Sequence, residues 1–205
     1  MRATMESTKV MRATEIGSFE VESGSVRVSD PCYEIDTWCA GTLENVKKGT
    51  WIAKVIHSGG RCAILVAHHK DNPIKYDSDK FIAEGFEVGV DSGQAGIFDQ
   101  EYFKNDETVK GVKRIGKKSE QICVDEPWYS VCCDRTLQKT GAGVIPFGCV
   151  SSSGWGDGGY ECSTVKTNDE ITAIKIDFAI LEDEDEEDED WGEDEDEDED
   201  WGEDE

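Results

Sequence analysis

The sequence predicts a β-rich α+β fold: an antiparallel sandwich or curled sheet with one or two short helices and a disordered acidic C-terminal tail. Three observations carry this reading. Short alternating apolar runs, separated by glycine-containing turns, fill the body of the chain. Only two segments read as helix. The last 24 residues, 182–205, hold 20 carboxylates, and their only large apolar side chains are Trp191 and Trp201, too few to enter a core.

The elements follow in order. Met-Arg-Ala-Thr occurs at 1–4 and again at 11–14, which makes Met11 a second candidate start and assigns 1–15 to a flexible polar arm. One domain is expected over 16–181. Phe19 and Val21, then Val26-Arg27-Val28, alternate around Ser23-Gly24 and predict a hairpin. Trp51 to Ile56 and Ala63 to Ala67 flank Ser58-Gly59-Gly60 and predict a stronger one. Further strands are expected at 86–90, 143–150, 159–165 and 171–180. In the last, Ile174, Ile176 and Phe178 share one face, assigned to the core. Asp99 is placed to cap one or two helical turns reaching Asn105. The best helix is 126–138, with Pro127 in its first turn and Gly141 and Gly143 to end it.

Charge separates body from tail. The chain has 21 basic and 47 acidic residues, a net of −26, but without the tail 27 acids face 21 bases. The body is therefore only mildly acidic. The tail is expected to be extended by self-repulsion and to serve solubility or attract a basic protein. Its ten-residue Trp-Gly repeat is low-complexity duplication, too short for a solenoid. No apolar run approaches the length of a membrane span, and the N-terminus lacks the apolar stretch of a signal peptide. A cytoplasmic protein without membrane contact is expected. Direct nucleic-acid binding is disfavoured, since phosphates need a basic surface.

Eight cysteines permit a disulfide framework, yet Cys62 and Cys149 sit in apolar strand-like runs and Cys132-Cys133 are adjacent. Reduced, mostly buried thiols are the stronger expectation. No Cys-x-x-Cys occurs, and His68 and His69 fall on opposite faces of a strand, so no metal site is assigned. A Cys–His nucleophile stays open because its partners meet in space rather than in sequence. Signatures of phosphate-binding and dinucleotide-binding loops are absent, and no cofactor is assigned.

Two glycine-rich segments hold the candidate site. The first, 89–99, offers Asp91, Ser92, Gly93 and Asp99. The second, 151–160, offers Ser153, Trp155 and Asp157 among four glycines. Small residues permit close backbone approach, an indole supplies a stacking face, and carboxylates and hydroxyls orient a ligand. The same residues also build ordinary turns. Asp30, Asp91, Asp99 and Asp157 would have to converge to act as acid/base pairs or hard-cation ligands.

These segments also carry a resemblance. Val90-Asp91-Ser92-Gly93 with Phe98-Asp99, then Ser153-Gly154-Trp155-Gly156-Asp157-Gly158 and a terminal apolar strand, resemble the domain of unknown function 4241 family of bacteria and phages. Ser23-Gly24 and Val28-Ser29-Asp30-Pro31 are similar to that family's opening strand and Asp-Pro turn. The likeness spans most of 17–180 in order, while the acidic tail and the cysteine-rich helix depart from it. It implies a shared fold and a shared site, and supplies no activity.

Three function classes follow. The leading expectation is a non-enzymatic intracellular binding protein with a small-molecule pocket formed by the two loops. The alternatives are a small hydrolase or transferase using the loop carboxylates, and a phage-encoded acidic decoy acting through its tail.

Overall fold

The structure, a computed structural model, describes residues 11–116, 123 and 125–178; the tail and residues 1–10 lie outside them. Among the described residues, eleven strands form two antiparallel sheets. The larger contains β1 (Arg12–Val21), β4 (Gly49–Ser58), β5 (Arg61–His69), β11 (Glu170–Asp177), β10 (Gly158–Thr167) and β6 (Ile82–Val90), in that spatial order. The smaller contains β3 (Gly41–Leu43), β2 (Val26–Ser29), β7 (Gln94–Asp99), β9 (Gly148–Ser152) and β8 (Ala142–Ile145). The expected β-rich antiparallel fold is present.

Alternation explains the main core. Trp51 and Ala53 of β4 are fully buried in it, whereas Ile52 and Lys54 beside them are half-buried. Val26, Val28 and Ile97 of the smaller sheet share one apolar cluster with Leu65, Ile174, Ile176 and Phe178. A second layer lies outside the smaller sheet, where α1 (Pro127–Thr136) packs. There Phe98, Phe103 and Trp128 form an aromatic triad with centroids 5.0–5.5 Å apart, Trp128 edge-on to both phenylalanines and these two tilted at 46°. Strand β7 is thus covered on both faces, and all six of its residues are buried.

Several sequence expectations hold. The Trp51 to Ala67 hairpin forms, turning at Gly59-Gly60 between the paired Ser58 and Arg61. Helix α1 starts at Pro127. Asp99 caps a short 3-10 turn, Gln100–Tyr102, and accepts the Glu101 N–H. Ile174, Ile176 and Phe178 are fully buried.

Others are corrected. Residues on either side of Ser23-Gly24 do not pair as a hairpin: β1 belongs to the larger sheet and β2 to the smaller. The chain turns a corner there because the Asp99 carboxylate accepts the Glu22 and Ser23 N–H groups at 2.6 and 2.9 Å. The expected strand at 143–150 is two strands, β8 and β9, joined through Pro146 and Phe147, with Phe147 at φ 62. Helix α1 ends at Thr136, well before Gly141. Residues 12–15, assigned to the arm, pair with β4 as the start of β1. Strand β7, read as a glycine-rich loop, is hidden in the sequence by Gly96. The Phe98 ring lies over that glycine, so that a Cβ there would sit 2.1 Å from Cζ.

Candidate functional site

Register brings the two glycine-rich segments together. In the larger sheet β6 pairs with β10, ending at Val90↔Gly158. In the smaller sheet β7 pairs with β9, starting at Gln94↔Ser152. Residues 91–93 carry the chain from β6 to β7, and residues 153–157 carry it from β9 to β10. Two neighbouring strands therefore cross between the sheets at the same corner, and their loops must lie side by side. They are bonded directly: Ser153 donates its N–H to the Gly93 carbonyl at 3.0 Å, and Gly93 donates to Asp157 Oδ1 at 3.2 Å. Gly93 has φ 66, and nothing lies within 4 Å of its missing Cβ, so backbone conformation rather than crowding calls for glycine.

The polar groups divide into structural and outward-facing sets. Asp30 is fully buried. One of its oxygens accepts the Asp91 and Ser92 N–H groups at 2.9 and 2.7 Å; the other accepts the Ser92 hydroxyl at 2.7 Å and the Cys32 N–H at 2.8 Å. Ser153 is also buried and donates its hydroxyl to the Gly156 carbonyl, which the Tyr160 hydroxyl also reaches. Asp99 lies at the far end of β7, about 17 Å along an extended strand from Gln94, and its carboxylate is committed to backbone N–H groups. The structure joins Asp91, Ser92, Gly93, Ser153, Trp155 and Asp157, and separates Asp99 from them.

What faces solvent is a rim. Asp91 and Asp157 are exposed, and Trp155 is 50% exposed. The Arg61 guanidinium lies 4.6 Å from the Trp155 ring centroid and donates to the Gly154 carbonyl at 2.9 Å. Cation–π contact and this hydrogen bond hold the indole in place. Two contributors were missed in the sequence: Arg61 and Tyr33. The loop 31–40 reaches the rim where the Cys39 carbonyl accepts the Gly89 N–H at 2.8 Å. Its Trp38 is 91% exposed. Burial, with hydrogen bonding to Cys39 and Asp91, pushes the Tyr33 hydroxyl above the usual tyrosine range.

The thiols near the site are not poised as nucleophiles. Burial, reinforced by a hydrogen bond to Asp30, pushes Cys32 up to about 12. Cys62 lies 3.7 Å from His57 Nε2, but that nitrogen is 2.9 Å from the Thr140 carbonyl and must direct its proton there. It therefore has no lone pair to accept the thiol proton. Burial raises Cys62 as well. Among the described residues, no group of three His, Cys, Asp or Glu side chains could hold a metal ion.

The model of the family described as "Protein of unknown function (DUF4241)" matches residues 19–176. The chain belongs to this family. No curated protein and no solved structure matches it. The DUF4241 match covers both loops, α1 and all of both sheets except residues 12–18 of β1 and the last residue of β11, so the corner formed by the two loops belongs to the family domain. The 179–205 segment falls outside the match and outside the described residues. No helix among the described residues is long and apolar enough to cross a membrane.

Proposed function

We propose that this DUF4241 protein is a non-enzymatic cytoplasmic binding protein whose recognition surface is the rim shared by the two glycine-rich loops. The observation that carries the proposal is the direct bonding of Gly93 to Ser153 and Asp157, which makes one surface of Asp91, Asp157, Trp155 and Arg61. The cavities along the β1 and β8 edges are lined by no residue of either loop. A ligand with a planar face for the indole and donors for the two carboxylates fits such a surface.

The hydrolase or transferase alternative draws less support. Asp99 stands apart from Asp91 and Asp157, and Asp157 already holds the Gly93 N–H. A decoy role would rest on the tail alone. The test is a library of planar aromatic amines screened against the ¹⁵N-labelled full chain by NMR. Concerted shifts of the Trp155 indole and the Gly93 and Asp157 amides support the proposal; hits that leave all three unmoved oppose it.

A further inference from the structure

A groove runs along the side of the sandwich where the edge strands β1 and β8 pack on each other, Val144 of β8 lying against Gly17 of β1. Its first cavity, about 560 Å³, is lined by Arg12, Thr14, His57, Gly59, Gly60, Lys139 and Thr140. Two cations and no carboxylate line it. The next two cavities continue beside Glu15 and Ile16, then beside Phe19 and Glu20. Arg61, at the same end, is already engaged by Trp155 and Gly154. Arg12 and Lys139 form no ion pair among the described residues.

The last described residue, Phe178, lies three strands from this cavity. Phe178 donates its N–H to the Ala63 carbonyl at 2.9 Å. The preceding residue, Asp177, lies in one row across the sheet: Asp177↔Ile64, Ile64↔Ile56, Ile56↔Ala13. Phe178 thus emerges three strands from Arg12, about 14 Å at the usual strand spacing. Four extended residues cover that distance, and the fourth after Phe178 is Glu182, the first of nine consecutive acids, 182–190.

We propose that residues 182–187 dock in cis in the cavity between Arg12 and Lys139, so that the tail latches onto the β1–β8 groove. Charge complementarity, the exit point and the chain length all favour this occupant over a second copy. The inference stands independently of the rim.

The test is zero-length carbodiimide coupling on the full chain, read by peptide mass spectrometry. The expected result is an amide between Lys139 Nζ and a carboxylate of 182–187, within one molecule. Arg12 is exposed, so Arg12→Glu should preserve the fold while lowering that yield about fivefold, with coupling at the distant Lys166 unchanged. Salt at about 0.5 M, which shortens the Debye length to about 4 Å, should also lower it. Hydrogen exchange at Gly60 and Thr140 should quicken in parallel. Coupling spread evenly over exposed lysines, or concentrated on Lys110 and Lys113, overturns the proposal. So do Lys139 adducts found only between mixed ¹⁴N- and ¹⁵N-labelled copies, which would make the occupant a second copy.

Discussion

Asp30 holds Ser92 from across the chain: its carboxylate accepts both the Ser92 N–H and the Ser92 hydroxyl at 2.7 Å. The two residues are 62 positions apart, so the Asp-Pro turn after β2 fixes the corner between β6 and β7. Asp99 does the same for the corner between β1 and β2. Buried carboxylates accepting backbone N–H groups are therefore what shape this sandwich at its corners.

Removing either clamp should unfold more than it disarms. Asp30→Ala leaves three N–H groups and a hydroxyl without their acceptor, and Asp99→Ala leaves three N–H groups. Each is expected to cost about 3–5 kcal/mol, given about 1.5–3 kcal/mol for one hydrogen bond to a charged group and incomplete additivity. Urea midpoints with an unchanged slope are the measurement. A loss below about 1 kcal/mol would deny the clamp its role.

Two glycines should differ in how they fail. Gly93→Ala places a side chain at φ 66 in open space and is expected to cost about 1–2 kcal/mol of backbone strain. Gly96→Ala meets the Phe98 ring and, 2.6 Å away, the Cys149 carbonyl. The backbone oxygen cannot swing aside, so Gly96→Ala should lower the melting temperature by more than Gly93→Ala. The reverse order would contradict the packing of β7.

Stability should fall on both sides of neutrality. Burial raises the thiols of Cys132, Cys149 and Cys162. In the unfolded chain these lose protons from about pH 9, whereas in the fold they keep them. Their stabilising contribution is full below that pH and is lost as pH rises through the folded values. His69 is lowered by burial, then by Lys47, so the fold keeps it neutral. Its contribution is present above the unfolded value near 6.5 and is lost as pH falls below it. Denaturant midpoints across pH should show both arms, with Cys149→Ala flattening the alkaline one. A profile level from pH 9 to 11 would contradict the thiol assignment.

What was legible in the sequence was local. The Trp51 to Ala67 hairpin has alternation on both sides of Ser58-Gly59-Gly60, and α1 has Pro127 at its start. The corner at Ser23-Gly24 has the same alternation as a hairpin, and the group that decides between them, Asp99, lies 76 residues away from Ser23. Strand β7 was hidden because Gly96 reads as a turn until the Phe98 ring is seen to cover it. The candidate site was half legible: composition singled out both loops, and their meeting follows from the pairings of β6 with β10 and β7 with β9, which depend on long-range register. Composition also grouped Asp99 with residues from which the length of β7 separates it.

The rim itself is tested most directly by affinity. For a planar amine found by the NMR screen, Trp155→Ala and Asp91→Asn should each weaken binding about five- to two-hundred-fold, equivalent to about 1–3 kcal/mol. Both side chains face solvent, so the melting temperatures should stay close to that of the unaltered protein. Lower melting temperatures with affinity intact would contradict a binding role and leave the loops as turns.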